Sequence, residues 1–530
     1  MRITFRTLFI LLLLMPLVAW AQGNNYMSNP MVRVVMDTYA AMLQENPEDY
    51  ETYFNRAKEY FKYNDYGKAM ADLNQAIKYY PREEASDLSQ AYTVRGLIYQ
   101  IQGNDMKALD DFNEALVLDS SSRFSLICRA DLLREMGDYK QAKDDYQLLL
   151  RRDARSQEAY LGLAIIAHKE NNIGMCHEYM DKAQQSNPTN VDFYITRAEV
   201  YEEMGEWQKA ANDYITAMTF GDNRRSVAGI NALSAVAYEP VIAALSQAID
   251  TAEEKGFFYF IRGSIHMNNQ HYSASIQDWN TIVEQKYLHF HSVYYNRGYC
   301  YMRLGQFDYA LDDISKAIVM KGDQMSYFIT RSKLYRVMGD YEKAAEDLSV
   351  ASTFDMTHKD VLSQRAMLAT EQRDYEAALG YYNEAVLSNA DDATLYLLRG
   401  DMYALLQDLE SATRNYELLL NIPEHAPEFT TCRGFALARL GRVVEAEEWM
   451  QQVMTSIKGI SSPEDYYNAA CLYTCTGNKV KAYQYLEEAL KAGYGDYFNL
   501  YFEYDSPVSL APLRNEPDFR ELVRNYSDVF

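Results

Sequence analysis

The chain has 530 residues and a formal net charge of −24, from 51 Lys and Arg against 75 Asp and Glu. This excess of acidic groups repels phosphates, and the sequence contains no basic cluster, so bare nucleic acid and anionic membrane faces are excluded as partners. The six cysteines are too sparse for a disulfide framework.

The first 21 residues, MRITFRTLFILLLLMPLVAWA, predict a secretory signal peptide. Two Arg precede an apolar run from Leu8 to Trp20, and an A-x-A arrangement ends at Ala21. A membrane anchor is the less favoured alternative, because a run of about 13 residues falls short of the roughly 20 needed to span a bilayer. No later apolar run is long enough either. We expect cleavage before Gln22 and export to the periplasm or cell envelope, with full secretion as a further alternative.

Residues 22–49 precede the periodic part of the chain. Residues 22 to 30 predict a disordered leader, and Met31 to Glu45 predict a single helix. We expect that helix to cap the first repeat, because the outer face of a terminal repeat would otherwise expose apolar surface.

From Tyr50 onward the sequence repeats with a period of 34 residues. Position 8 of the repeat is always Ala, Gly or Ser, and position 20 is Ala in ten of the twelve regular repeats. Because positions 20, 24 and 27 share one helical face, each repeat predicts two helices that cross where only small side chains fit. A turn marked by Gly, Asn or Gln separates them. The regular repeats begin at Tyr50, Ser89, Arg123, Gln157, Val191, Gly256, His291, Met325, Lys359, Ala393, Pro427 and Pro463.

With these positions and a recurrent Tyr at position 11, as at Tyr301, almost the entire mature chain resembles the tetratricopeptide repeat family. The resemblance implies an all-α fold, an α-solenoid of about 12–13 helix pairs forming a right-handed superhelix. It also implies a non-catalytic protein whose first helices line a groove, chiefly through positions 2, 5, 9 and 12. The family's closing Pro is present at Pro81 and Pro188 but is replaced elsewhere, for example by Gly322.

One irregular stretch divides the periodic region. Residues 222–255 hold a degenerate repeat, in which Val241 replaces the Ala of position 20. We therefore expect an N-terminal array at 50–221, a joint at 222–255 and a C-terminal array at 256–496. Residues 497–530 depart from the period and predict a C-terminal cap, an aromatic loop followed by a closing helix.

Arg recurs at position 7 in ten repeats, and Asp at position 23 in seven of the same repeats. An active site would occur once, whereas these residues recur beside the close-packing positions, so we predict a structural ion pair within each repeat, partly shielded from water. The predicted pairs are Arg56 with Asp72, Arg95 with Asp111, Arg129 with Asp145, Arg197 with Asp213, Arg262 with Asp278, Arg297 with Asp313, and Arg331 with Asp347.

The sequence lacks a Gly-rich phosphate loop, an H-E-x-x-H motif and a G-x-S-x-G motif. His271 is expected at the opposite end of its repeat from His289 and His291, so a shared metal site is not expected. Cys471 and Cys475, one turn apart, predict two small apolar residues on one helix face. We expect no enzymatic activity, no cofactor and no metal.

Two sets of side chains occupy the predicted groove positions. The repeats beginning at Gly256 and His291 place aromatic residues and Met there, which is typical of a partner site; the alternative is internal packing of a tightly wound solenoid. The repeat beginning at Val191 offers an acidic set that could attract a basic segment. The aromatic candidates are Phe257, Phe260, Met267, Tyr295, Tyr299 and Met302, and the acidic candidates are Glu199 and Glu202, beside Asp192 and Glu203.

These patterns favour an exported scaffold for a protein or peptide partner whose identity, like the oligomeric state, the sequence leaves open. One alternative is an envelope protein that captures glycans or nutrients, although the lipidated Cys and long non-repeat regions of such proteins are missing here. An enzyme within residues 222–255 or 497–530 is a second alternative, but each segment is too short for a catalytic domain.

Overall fold

The computed structural model describes residues 26, 29–81, 85–422, 429–456, 462–502 and 510–526. These residues form 29 helices and contain no strand. The segment predicted as a signal peptide, 1–21, lies outside the described residues.

The helices divide into two compact units, residues 1–230 and 231–530. The boundary falls within α12, inside the stretch 222–255 where the sequence period is irregular. The helices up to this boundary are α1 Pro30–Glu45, α2 Tyr50–Lys62, α3 Tyr66–Tyr79, α4 Ala85–Ile101, α5 Asp105–Leu118, α6 Arg123–Glu135, α7 Tyr139–Arg152, α8 Gln157–Lys169, α9 Ile173–Ser186, α10 Val191–Glu203, α11 Trp207–Thr219 and α12 Arg224–Ser234.

The C-terminal unit continues the alternation of first and second helices and ends with two shorter ones. Its helices are α13 Tyr238–Thr251, α14 Lys255–Asn268, α15 Tyr272–Glu284, α16 His291–Arg303, α17 Phe307–Met320, α18 Met325–Val337, α19 Tyr341–Phe354, α20 Lys359–Glu371, α21 Tyr375–Ser388, α22 Ala393–Leu405, α23 Leu409–Leu420, α24 Phe429–Arg439, α25 Val443–Ser456, α26 Pro463–Cys475, α27 Lys479–Lys491, α28 Tyr497–Tyr501 and α29 Pro517–Tyr526.

Small residues allow the two helices of a repeat to approach closely. In the first repeat Ala57 of α2 and Ala69 of α3 are both fully buried. At Gly96 of α4 the approach is closer still, since a Cβ there would lie 2.6 Å from the ring of Phe112 in α5. Because the same small positions recur in every repeat, the helices stack in consecutive pairs, and the predicted all-α fold of tetratricopeptide-like helix pairs is confirmed.

The turn inside each repeat is set by a residue in the left-handed region. Gly137 has a φ of 84° and Asn64 a φ of 61°, values that end the preceding helix. An acidic residue often follows and starts the next helix: Oδ1 of Asp138 accepts a hydrogen bond from the backbone N–H of Gln141 at 3.1 Å. A pair such as Gly-Asp therefore stops one helix and caps the next.

Candidate partner-binding surfaces

The recurrent Arg and Asp form an ion pair with two hydrogen bonds, which we call the clamp, within seven of the repeats. Arg297 at the middle of α16 donates from Nε to Oδ2 of Asp313 in α17 at 2.6 Å, and from Nη2 to Oδ1 at 2.8 Å. The Asp313 side chain is only 3% exposed. This bidentate geometry gives both oxygens of the buried carboxylate a hydrogen bond. Without these bonds, burying the charged group away from water would cost free energy. The same arrangement occurs in Arg56–Asp72, Arg95–Asp111, Arg129–Asp145, Arg197–Asp213, Arg262–Asp278 and Arg331–Asp347.

A third N–H of the same Arg reaches the preceding repeat. Nη1 of Arg297 donates to Oδ1 of Asn280 in α15 at 2.9 Å, and Nη1 of Arg95 donates to Asn74 in α3 at the same distance. This bond was not predicted, although the sequence carries its signal: an Asn or Ser often stands at position 25, as at Ser315. The Arg therefore ties together two helices of its own repeat and one helix of the repeat before it.

Later repeats keep the Arg but change its partner. Nε of Arg399 donates to Oδ1 of Asn415 at 2.7 Å, in the position where Asp stands elsewhere. The guanidinium of Arg433 instead lies over the ring of Trp449, 4.7 Å from its centroid. A cation that recurs with an internal partner holds the stack together, so we assign these residues to architecture and not to ligand binding.

The aromatic candidates pack against their own unit. The ring of Phe260 meets Trp279 edge-on with centroids 5.2 Å apart, and Tyr295 stacks on Tyr327 at 4.2 Å. The Tyr295 hydroxyl lies 3.0 Å from the hydroxyl of Thr330. Burial raises the pKa of Tyr295, as expected for a phenol largely removed from water.

The other candidates of this set are similarly placed. Phe257 lies edge-on to Phe258, with centroids 5.8 Å apart, and Met267 packs against the large apolar core of the C-terminal unit. Met302 is buried in a cluster with Ile314 and is closed to a partner. Tyr299 packs against both the large apolar core of the C-terminal unit and the cluster that contains Met302.

The chain's own C-terminal segment covers this region. Arg303, at the end of α16, forms an ion pair with Asp496, and the guanidinium lies 5.5 Å from the ring centroid of Tyr299. Phe498 of α28 is buried in the cluster that contains Met302. The expectation that these residues form an open groove is therefore wrong for Met302. The reason is that Phe498 of α28 returns to this face and shares one apolar cluster with Met302, against which Tyr295 and Tyr299 also pack. The other five candidates are half-buried and keep part of their surface in water.

The acidic candidates are also partly engaged. Glu202 accepts a hydrogen bond from the hydroxyl of Tyr214 at 2.6 Å, and burial raises the pKa of Glu202. Asp192 forms an ion pair with Arg225 at 2.6 Å. Glu199, like Glu202, is half-buried. Unlike Met302, both acids keep part of their surface in water.

These acids belong to a larger row at the C-terminal ends of three consecutive first helices, α6, α8 and α10. Oε2 of Glu203 lies 2.5 Å from Nζ of Lys169 and 3.1 Å from Nε2 of His168, yet the Glu203 side chain remains 52% exposed. Although burial alone would raise it, these neighbours hold the pKa of Glu203 below its ordinary value. We call this row the acidic stripe: Asp131, Glu135, Glu170, Glu199, Glu202 and Glu203.

One end of the stripe contains a buried network that was not predicted. The hydroxyl of Tyr146 in α7 donates to Oδ1 of Asp131 at 2.5 Å, and Nε of Arg134 donates to the same hydroxyl at 3.2 Å. A Tyr at position 24 with an acid at position 9 is the sequence signal, and it recurs as Tyr416 donating to Asp401 at 2.7 Å.

The histidines and cysteines do not gather into a metal site in the part of the chain that the structure describes. The Nδ1 of His266 lies 2.6 Å from the hydroxyl of Tyr238, and His291 has a similar partner in Tyr327 at 2.6 Å. Cys471 is buried, and the thiol of Cys475 accepts from Arg439 at 3.0 Å. Within the same residues no helix is both long and apolar enough to cross a bilayer.

The stacked helix pairs, with small residues at each crossing, define a helical repeat protein. The chain is a tetratricopeptide repeat protein: family models described as tetratricopeptide repeat match residues 50–83, 129–173, 291–323 and 364–420. This fold supports a role as a protein-interaction scaffold.

Curated relatives match only part of the chain. Cellulose synthase operon protein C of Pseudomonas fluorescens is 26% identical over 152 residues, which are 28% of this chain and 12% of that protein. Sperm-associated antigen 1 of Mus musculus is 23% identical over 277 residues, 51% of this chain and 26% of that protein. The chain thus spans 12% and 26% of the length of these two relatives. Among solved structures, yeast Tom70 aligns with 76% of this chain and 99% of its own at 14% identity, with a TM-score of 0.35.

Proposed function

We propose that the chain is a non-catalytic scaffold that binds a basic segment of a partner protein on the acidic stripe of the N-terminal unit. The observation that carries the proposal is the placement of six acidic side chains at the C-terminal ends of three first helices that contact one another in sequence order. The aromatic candidates are less available to a partner, because Met302 is buried and Phe260, Met267, Tyr295 and Tyr299 pack against the apolar clusters of their unit.

Three features make the stripe negative. The helix macrodipole places partial negative charge at the C-terminal ends of α6, α8 and α10, so the acids add to a potential that is already negative there. The cations beside the stripe do not balance its six carboxylates. Arg134 lies 3.3 Å from Asp131, Lys143 pairs with Glu170 at 2.6 Å, and Lys169 and His168 share one acid, Glu203. The net charge of the whole chain, −24, has the same sign. A Lys- or Arg-rich segment would gain both attraction and faster association.

The test is a selection from a library of random 12-residue peptides, with the chain from Gln22 to Phe530 as bait. We expect the enriched peptides to be rich in Lys and Arg. Their binding should weaken steeply between low and physiological salt, because exposed charge pairs are screened over about 8–10 Å. A variant combining Glu135→Gln, Glu199→Gln and Glu203→Gln should bind them at least about tenfold more weakly, corresponding to roughly 1.4 kcal/mol.

The matched control combines Asp110→Asn and Asp144→Asn, two exposed acids on second helices of the same unit. These changes alter the net charge without touching the stripe, so the selected peptides should bind as they do to the unchanged chain. Enrichment of neutral or acidic peptides would overturn the proposal, as would equal weakening by the stripe variant and the control.

The proposed setting is the periplasm or cell envelope, and it rests on the signal-like sequence of residues 1–21. The folded body begins shortly after the expected cleavage point: Tyr26 stacks on Tyr63 at 4.9 Å, and its hydroxyl donates to Asp65 at 2.8 Å. N-terminal sequencing of the protein recovered from an envelope fraction should give Gln22 as the first residue. Recovery of an intact Met1 terminus from a soluble cytoplasmic fraction would contradict it.

A further inference from the structure

An exposed apolar strip runs along one edge of the C-terminal unit. Five of its members lie at or just beyond the C-terminal ends of three consecutive second helices, α17, α19 and α21, and the sixth, Phe290, lies between α15 and α16. Val319 is 87% exposed, Leu387 84% and Met356 70%, values that are high for large apolar side chains. The strip consists of Phe290, Val319, Met320, Phe354, Met356 and Leu387.

The strip is not a general property of the repeat. The residue equivalent to Val319 is Arg151 in the repeat that begins at Arg123 and Gln185 in the one that begins at Gln157. The helix-pair fold therefore does not require an apolar residue there. A contiguous apolar surface on a soluble protein, bordered by charges, marks an interaction site.

The charges along the strip change sign from one end to the other. Lys286 follows α15 and Lys321 follows α17, whereas Asp355 follows α19 and Asp391 follows α21. None of these four side chains makes an ion pair within the described residues of the chain. Two exposed acids interrupt this gradient at its basic end, Glu284 at the end of α15 and Asp323 beyond α17, and Lys359, which pairs with Asp392, lies at its acidic end.

We propose that this strip is a self-association surface on which a second copy of the chain docks in antiparallel orientation. A twofold axis between α17 and α19 would set Lys286 of one copy opposite Asp391 of the other, and Lys321 opposite Asp355. Asp323 would then face His358 of the second copy. An isologous contact requires a surface that is complementary to itself. A strip with two Lys at one end and with Asp355 and Asp391 at the other can pair with a second copy in this way.

The dimensions of the strip fit such a contact. Packed helices lie about 8–10 Å apart, so four consecutive ends extend over roughly 30 Å. A standard interface buries about 800 Å² on each partner, with an apolar centre and a polar rim. The six apolar side chains supply the centre, and the charged turns supply the rim.

The test is the molar mass of the chain from Gln22 to Phe530 in solution, measured by sedimentation over a range of concentrations. We expect a monomer–dimer equilibrium. The double variant Val319→Asp, Leu387→Asp should be monomeric, because it places four carboxylates in the contact. Its control is Val117→Asp, at the same repeat position in the N-terminal unit and 78% exposed, which should leave the dimer intact.

Charge reversal tests the orientation. Lys286→Glu alone and Asp391→Lys alone should each weaken dimerisation about tenfold or more, because like charges then face each other twice across the axis. The two changes in one chain should restore it. A monomeric unchanged chain, or a dimer that survives Val319→Asp, Leu387→Asp, would overturn the proposal. Peptide binding to the acidic stripe should be unaffected by these variants, so the two proposals fail independently.

Discussion

Arg303 and Asp496 form a buried ion pair that joins α16 to the segment that leads into α28. The Asp496 side chain is 1% exposed, and Nη1 of Arg303 also reaches Oδ1 of Asn499, 196 residues further along the chain. Although burial alone would lower it, Asp496 holds the pKa of Arg303 well above its ordinary value. This contact fastens the C-terminal segment over the aromatic face that the sequence offered as a groove.

Replacing Asp496 with Ala should lower the free energy of unfolding of the C-terminal unit by about 3–5 kcal/mol, because Arg303 would keep a buried charge without its partner. Urea unfolding followed by Trp fluorescence measures the loss. The double variant Arg303→Met, Asp496→Leu should lose much less than the sum of the single changes, since it leaves no unpaired charge. Additive losses would show that the two residues are not energetically coupled.

Asp312 and Asp313 provide a matched pair for the repeated clamp. Asp313 is held by Arg297 and is 3% exposed, whereas Asp312 beside it is 74% exposed. Asp313→Ala should cost about 3–5 kcal/mol, and Asp312→Ala about 0–1 kcal/mol. Asp313→Asn should fall between them, because Asn415 accepts from Arg399 through its one side-chain oxygen. Equal urea midpoints for Asp312→Ala and Asp313→Ala would refute a structural role of the clamp.

Two glycines should respond to Ala in opposite directions. A Cβ at Gly162 would lie 2.2 Å from the ring of Tyr146, whose hydroxyl is fixed by Asp131, so Gly162→Ala should destabilise by about 1–3 kcal/mol. A Cβ at Gly380, inside α21, meets nothing within 4 Å. Gly380→Ala should therefore stabilise by about 0.5–1 kcal/mol through the reduced entropy of the unfolded chain. Thermal unfolding of the two variants tests both signs.

His266 should make stability depend on pH. Burial, with help from Arg262 and His271, lowers its folded-state pKa to about 4, against about 6.5 in an unfolded chain. Tyr238 at 2.6 Å and Asp278 at 3.8 Å also face the ring. As the pH falls, the unfolded chain binds the His266 proton before the folded chain does. The contribution of neutral His266 to folding stability is therefore complete above about pH 6.5 and is lost as the pH falls towards 4.

The comparison is the midpoint of urea unfolding at several pH values for the unchanged chain and for His266→Gln. The variant should lose less stability than the unchanged chain between pH 6.5 and 4, because it has no ring to protonate. Parallel losses in the two proteins would place the acid sensitivity in other groups.

Most of the fold could be predicted from local sequence patterns. The positions of Ala57 and Ala69 indicate where two helices cross, and the left-handed residue at Gly137 indicates where one helix ends. These signals act within one repeat, over distances of at most a few turns of helix. The ion pair between Arg297 and Asp313 could be predicted for the same reason, because both residues lie in one repeat.

The candidate site was harder to predict because it depends on contacts between distant parts of the chain. Tyr299 and Met302 occupy groove positions in their repeat, and nothing near them in sequence shows that Phe498 would pack there. The position of a residue within its repeat predicts which way its side chain faces. It does not predict which other part of the chain packs against that side chain.

The sequence by itself determined the helix pairs, their turns and the internal clamp, because each depends on residues less than one repeat apart and recurs many times with the same chemistry. Only the tertiary structure decided which surfaces remain open. The ion pair between Arg303 and Asp496 joins the C-terminal segment to α16, where Met302 is buried, whereas members of the acidic stripe and the apolar strip keep their contact with water. Whether a surface is buried depends on how many repeats stack before a later segment of the chain packs against an earlier repeat. Neither that number nor the accumulated rotation between successive repeats can be read from any single repeat.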